Sequence, residues 1–182
     1  MDENRKLPIV GVMGSGREAH SDLAQACGQL LARKPVHLLT GGGGGVMYAV
    51  SRAFAQVQSR RGLVVGVLSS SGAEDHHPRA GYPNPYVELA IRTHLPSIGA
   101  QGTDASSRNH INILSSDAVI LLPGGAGTRA EAMLAIRYGK PCMAFGDAAQ
   151  FVGFPTELSV TSDIDALNDL VDAVLNKLGA RF

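Results

Sequence analysis

Residues 123–131, Pro123-Gly124-Gly125-Ala126-Gly127-Thr128-Arg129-Ala130-Glu131, are the stretch of this chain best equipped for chemistry. They follow an apolar run, 118–122, and lead into a helix-like segment, 130–138. A buried strand that feeds a glycine turn and then a helix points bare backbone N–H groups at one spot, which suits a phosphate. Gly124, Gly125, Ala126, Gly127 and Thr128 are therefore candidate phosphate ligands, Thr128 through its hydroxyl as well as its amide. Glu131 is expected in the first turn of that helix, within reach of whatever the turn holds. The helix dipole alone also favours an acid there, so a structural and a chemical reading of Glu131 both stand.

Two further turns are of the same kind. Thr40 is followed by five glycines, 41–45. Glycine lets the backbone approach a ligand closely and take positive φ, so Gly42, Gly43 and Gly44 are candidate ligand contacts, the other reading being turn geometry alone. Gly14-Ser15-Gly16 with Ala19 matches G-x-G-x-x-A loosely. It is either a plain tight turn or a contact through Gly14 and Ser15. The dinucleotide fingerprint wants an acidic residue about 20 positions on, after the second strand. Here that strand ends in Thr40 and glycines, which argues against a standard NAD site. No G-x-x-x-x-G-K-[ST] and no G-x-S-x-G occurs, which excludes at motif level a P-loop ATPase and a nucleophile elbow.

The remaining polar groups read more simply. Cys27 and Cys142 lie far apart in apolar surroundings, without C-x-x-C partners, and read as small buried hydrophobes. Glu74-Asp75-His76-His77 falls in a polar stretch, 69–84, that reads as a solvated loop or, failing that, a lid; no metal is expected. His110 is expected in a satisfied polar contact, Asp117 in a structural role, and Arg129 in solvent or at an oligomer contact.

The elements that must position these turns alternate regularly. Apolar runs at 9–13, 36–39, 63–68, 87–93, 118–122, 142–145 and 158–161 read as strands. Segments 21–33, 46–58, 106–114 and 130–138, and a last one capped by Ser162 or Asp163 and running to 178, carry helical periodicity. The strands are continuous apolar runs rather than alternating ones, hence buried on both faces. That predicts one α/β domain over 1–182: a Rossmann-like, doubly wound, mostly parallel sheet in three α/β/α layers, with ligands beyond the strands' carboxyl ends. Sixteen Lys and Arg balance sixteen Asp and Glu, so there is no basic excess for nucleic acid. With no Trp and 5% aromatics, stacking platforms for single strands are scarce. No run approaches a membrane span and no signal-peptide pattern opens the chain, so the expectation is a soluble, cytoplasmic protein with no nucleic-acid or membrane partner.

The segments T-G-G-G-G-G-V-M, S-R-N-H-I-N and S-D-A-V-I-L-L-P-G-G-A-G-T-R-A-E, in that order within residues 8–145, resemble the LOG family, often mislabelled lysine decarboxylase, and the related molybdenum cofactor carrier proteins. The resemblance implies a nucleotide-binding domain that forms a homodimer or homotetramer. LOG enzymes cleave the N-glycosidic bond of nucleoside 5′-monophosphates to base and ribose 5-phosphate, with the phosphate on the glycine-rich turn. Their arginine and motif glutamate fall here on Arg108 and Glu131. Arg108 could otherwise be an ion-pairing residue at the surface or an interface. Such cleavage builds positive charge on the ribose, which a carboxylate stabilises while positioning water; an arginine stabilises phosphate or departing base. Arg108-Asn109 looks like the carriers, whereas LOG enzymes typically show Arg-Lys; Pro123 is the LOG form. The implied ligand is thus an AMP-like nucleotide or a pterin-type cofactor, cleaved or only held, with no separate cofactor. A decarboxylase would need a Schiff-base lysine; Lys6, Lys34, Lys140 and Lys177 all stand away from the glycine turns.

Overall fold

The computed structural model describes residues 6–72 and 74–179. In chain order its first half runs β1 (Ile9–Met13), α1 (Ser21–Ala32), β2 (His37–Thr40), α2 (Val46–Ala55), β3 (Val64–Leu68), β4 (Ser70–Gly72), β5 (Asp75–Pro78) and β6 (Leu89–Arg92). The second half runs α3 (Asn109–Ser115), β7 (Ala118–Leu121), α4 (Ala126–Arg137), β8 (Cys142–Phe145), β9 (Val160–Thr161) and α5 (Ile164–Gly179). Seven strands form one sheet in the order β6-β3-β2-β1-β7-β8-β9, every pairing parallel.

The central strands are buried on both faces, as their apolar runs require. Alternate residues split between two cores. Val10, Val12, Leu38, Val64 and Ile120 pack with α1, α2 and α5 through Cys27, Leu31, Val50, Phe54, Leu167 and Val171. Met13, Leu39, Val65, Val119 and Leu121 pack with α3 and α4 through Ile113, Ala132, Leu134 and Ala135. The result is a three-layer α/β/α, Rossmann-like fold. Burial raises the Cys27 thiol to about 12, so it behaves as a small hydrophobe. Its neighbour Gly28 lets α1 approach α2, since a Cβ there would stand 2.7 Å from that of Ala53.

β1 and β7 are neighbours, yet α1 leaves β1 toward one face while α4 leaves β7 toward the other. The crevice between them, at the strands' carboxyl ends, is where such sheets take ligands.

Several boundaries differ from the sequence expectation. α4 begins at Ala126 rather than 130, because Arg129 N–H closes a first turn on Gly125 O at 3.0 Å. Glu131 therefore lies in the second turn, not the first. α3 starts at Asn109, since a turn from Asp104 to Ser107 precedes it, and Arg108 is its N-cap rather than a residue within it. The stretch 69–84 is not all loop: β4 and β5 pair as an antiparallel hairpin. β6 excludes Val87, whose side chain covers Gly66, and β9 excludes Leu158, which joins the α4-side core. Of the two caps considered for α5, Asp163 serves, accepting from Asp165 N–H at 2.9 Å.

Candidate functional site

The three glycine turns interlock at the strand ends. Ser15 N–H donates to Pro123 O at 3.0 Å and Val46 N–H donates to Ser15 O at 2.8 Å, so the β1 turn is bonded to both of the others. Small residues make this possible. A Cβ on Gly14 would strike Val46, and one on Gly124 would strike Thr128 Oγ1 and the Ser15 amide. Gly45, at φ +57°, takes a left-handed conformation to cap α2 against Ser15 O.

Above these turns lies a cavity of about 480 Å³, walled by Gly14, Ser15, Gly16 and Arg17 after β1, by Met13 and Met47, by Tyr82, Ile98 and Gly99, by Arg108 and Asn109, and by Gly125, Ala126, Gly127, Thr128 and Glu131. Gly125, the N-cap of α4, offers no side-chain acceptor to the first-turn amides. These amides, with the positive end of the helix dipole, face the cavity uncapped. The charged side chains of the wall are Arg17, Arg108 and Glu131, so cations outnumber anions.

Arg108 and Glu131 are 5% and 7% exposed, and both belong to the wall. Arg108 Nη1 donates to Val67 O at 2.8 Å, and the terminal nitrogens of its guanidinium abut Gly41, where any Cβ would collide with them. Its Nε–H is buried without a partner, which costs free energy until something accepts from it. Burial pulls the guanidinium below its usual range; Arg79 adds to this, while Glu131 and Tyr82 oppose it. Burial pushes the Glu131 carboxyl up to about 7, against the opposing pull of Arg108 and a hydrogen bond from Asn112. Among the described residues no ion pair joins Arg108 to Glu131. The carboxyl can thus hold or release a proton near neutrality.

The sequence-nominated residues divide into two groups. Gly14, Ser15, Gly125, Ala126, Gly127, Thr128, Arg108 and Glu131 meet at the cavity. Gly42, Gly43, Gly44 and Gly124 stand outside its wall, and their smallness serves packing. Gly42, at φ +74°, sits on Leu68, Gly43 under the Tyr82 ring, and Gly124 against Thr128. Asn84 fixes this loop, its amide N–H donating to Gly42 O at 2.7 Å and its Nδ2 to Gly43 O at 3.0 Å. Ser15 also brings less than expected. Its N–H is taken by Pro123 O, and its Oγ accepts from the amides of Arg17 and Glu18, which leaves the hydroxyl proton to donate.

Other expectations settle locally. Asp117 carboxylate accepts from Ile9 N–H at 2.8 Å. His110 bonds Tyr138 Oη at 2.6 Å, and exposed Arg129 stacks over Phe154. Lys140 Nζ donates to Leu114 O and Ser116 O, far from a Schiff-base role. Asp75 bonds Ser71 and His77 within the hairpin, and among the described residues no three His, Cys, Asp or Glu converge as metal ligands. Tyr82 and the apolar Met13, Met47 and Ile98 escaped the sequence reading. An aromatic between glycine and proline in 81–83 was the available signal for Tyr82. No helix of the described residues is long and apolar enough to cross a membrane.

Comparison with known proteins places this geometry. A molybdenum cofactor binding protein from the phototrophic bacterium Rippkaea orientalis superposes with a TM-score of 0.72 at 30% identity, over 94% of this chain and 99% of that one. The molybdenum cofactor carrier protein of Chlamydomonas reinhardtii gives 0.70 at 26% identity, over 94% and 99%. An uncharacterised protein of Archaeoglobus fulgidus is 33% identical over 137 residues, 74% of this chain and 78% of that protein. The family model matches residues 7–168, from the start of β1 through the first turn of α5 and across all three glycine turns, and the chain belongs to the SLOG cluster4 family, within the LOG-like superfamily.

Proposed function

We propose that this chain binds a phosphate-bearing pterin- or nucleotide-type ligand in the cavity above its glycine turns and holds it as a carrier. The observation that carries this reading is the wall itself. The uncapped amides of Ala126, Gly127 and Thr128 stand in one cavity with a buried arginine that has an unpartnered Nε–H, which together favour an oxyanion. Met13, Met47, Ile98 and Tyr82 supply apolar surface for a flat heterocycle. About 480 Å³ lies within the usual range for a small-molecule site. Holding rather than cleaving is supported by Asn109 in the wall beside Arg108, and by the carrier and binding roles named for the Chlamydomonas and Rippkaea proteins. A molybdenum-bearing pterin would be cargo here. No cysteine lines the cavity, so the cargo would be held through its phosphate and ring.

A second reading, cleavage of a nucleoside 5′-monophosphate to base and ribose 5-phosphate, is favoured by one observation: Glu131 faces the cavity with its carboxyl near 7. Ionised, it would stabilise positive charge on the ribose and orient water; Arg108 would hold phosphate or departing base. Self-association belongs to the same proposal. Leu89 and Ile91 on edge strand β6, and Leu114 and Met133 on the α3–α4 side, are exposed apolar surface that a homodimer or homotetramer would cover.

The deciding experiment incubates the purified chain and Glu131→Ala with AMP, following free adenine and ribose 5-phosphate beside calorimetric binding. Binding without release supports the carrier reading. Release by the parent, lost in the variant, replaces it with hydrolysis and assigns the glutamate. Absence of binding by AMP and by a pterin phosphate would overturn both.

A further inference from the structure

Tyr82 is the one aromatic residue in the cavity wall. It is half-buried, and among the described residues no ring or guanidinium stacks on it. Its phenol end rests on Gly43, where any Cβ would strike Cζ and Oη. Two positions earlier in the same glycine run, Gly41 abuts the Arg108 guanidinium. The run thus seats two side chains of the wall just beyond the end of β2, and neither seat tolerates a Cβ.

The loop that carries the ring is held on both sides of it. Tyr82 N–H donates to Arg79 O at 3.0 Å, and Arg79 Nη2 donates to Pro96 O at 2.8 Å. Beyond the ring, buried Asn84 donates to Gly42 O and Gly43 O, and its Oδ1 accepts from Tyr86 N–H at 3.1 Å. The ring is therefore placed before a ligand arrives, and little conformational entropy is lost when one packs on it. A ring that served packing alone would be sealed in the core, as Phe54 is. An aromatic ring that borders a cavity without a stacking partner suits a flat π-system, which gains both buried area and stacking there.

We propose that Tyr82 is a specificity-determining residue: seated on Gly43, it stacks on the heterocycle of the ligand and so selects phosphates that carry a flat ring over those that carry a sugar alone. This rests on the ligand site proposed above and divides its labour. The α4 amides take the phosphate, which any phosphate monoester supplies, and Tyr82 takes the ring.

Calorimetry with AMP and with ribose 5-phosphate, which lacks the ring, on the full chain, Tyr82→Phe, Tyr82→Leu and Gly43→Ala tests this. AMP should bind the parent at least about tenfold more tightly than ribose 5-phosphate, a difference of about 1.4 kcal/mol. Tyr82→Leu should shrink that gap to within about threefold while leaving ribose 5-phosphate affinity within about threefold. Tyr82→Phe should keep most of the gap, and Gly43→Ala, which must push the ring aside, should match Tyr82→Leu. The inference is overturned if the parent binds the two ligands alike, or if the gap survives Tyr82→Leu. It is also overturned if Tyr82→Leu, folded by its melting curve, weakens both ligands alike, the sign of a purely structural wall. Equal binding of the two ligands by the parent would leave the α4 phosphate site standing and remove only the ring contact. Absence of binding by either would overturn the inference, and absence of binding by a pterin phosphate as well would remove the ligand site itself.

Discussion

Burial lifts the Glu131 carboxyl to about 7 because the cavity floor strips away the water that would solvate its charge, while Arg108 and Asn112 pull the other way. Between the ordinary value of 4.5 and about 7 the folded chain holds a proton that the unfolded chain has released. This contribution to stability therefore falls as pH rises across that window, is fully retained below it and levels off above it. Glu131→Gln removes this contribution. Relative to the parent it should gain stability across that range, reaching on the order of 3 kcal/mol more at about pH 8, on top of the rise with pH that His37, held below its ordinary 6.5 by burial, gives both proteins. Urea unfolding at several pH values reads this, and parallel curves for the two proteins would show that the carboxyl is not held protonated. Gly125 offers a different lever. A Cβ there meets nothing within 4 Å, although a ψ of −146° lies off the ordinary extended well, and the space is the cavity itself. Gly125→Val should cost about 1–3 kcal/mol of stability in backbone strain, leaving the chain folded, while weakening AMP binding by about a hundredfold or more, a loss of at least about 2.7 kcal/mol. Undiminished binding would rule out the phosphate site at α4.

The glycine runs show how the elements and the site depend on one another. Gly41 follows β2 and abuts the Arg108 guanidinium, so Gly41→Ala must lift Arg108 from Val67 O and leave that buried carbonyl unpaired. The expected cost is about 1–3 kcal/mol of stability, with a loss of AMP affinity comparable to that of Arg108→Met. Wild-type affinity in a folded Gly41→Ala chain would show that Arg108 is not a ligand contact. Five consecutive glycines were legible as a special turn, but not as a seat for Arg108, Tyr82 and Leu68. That role depends on β3, the stretch after β5 and the α3 N-cap arriving at one place, which no local pattern encodes. Strand positions were legible for the opposite reason: runs such as 64–68 and 118–121 are apolar throughout because helices cover both faces. Helix starts were less so. The α4 start was placed four residues late because glycine inside 126–129 reads as loop, whereas the Arg129–Gly125 hydrogen bond winds it into the first turn. The hairpin of 70–78 is polar and short, and its pairing leaves almost no periodic trace.

At the scale of the whole molecule the charges cancel, sixteen against sixteen, whereas the cavity wall carries two arginines against one carboxyl that is protonated part of the time near pH 7. A ligand anion approaching from solution meets no net charge to steer it. It meets attraction only within the last several ångströms, inside the cavity, where salt screens far less than it does at the surface. Association of AMP should therefore respond weakly to ionic strength. Between about 0.05 and 0.5 M NaCl the association rate constant should change by less than about threefold, unlike the steep fall of steered encounters. Stopped-flow measurement across that range, repeated with Arg17→Ala, separates the contributions. Arg17 is the exposed cation of the wall, so whatever salt dependence there is should diminish in this variant. A steep dependence that Arg17→Ala leaves unchanged would mean that an extended charged surface, not the cavity, attracts the ligand.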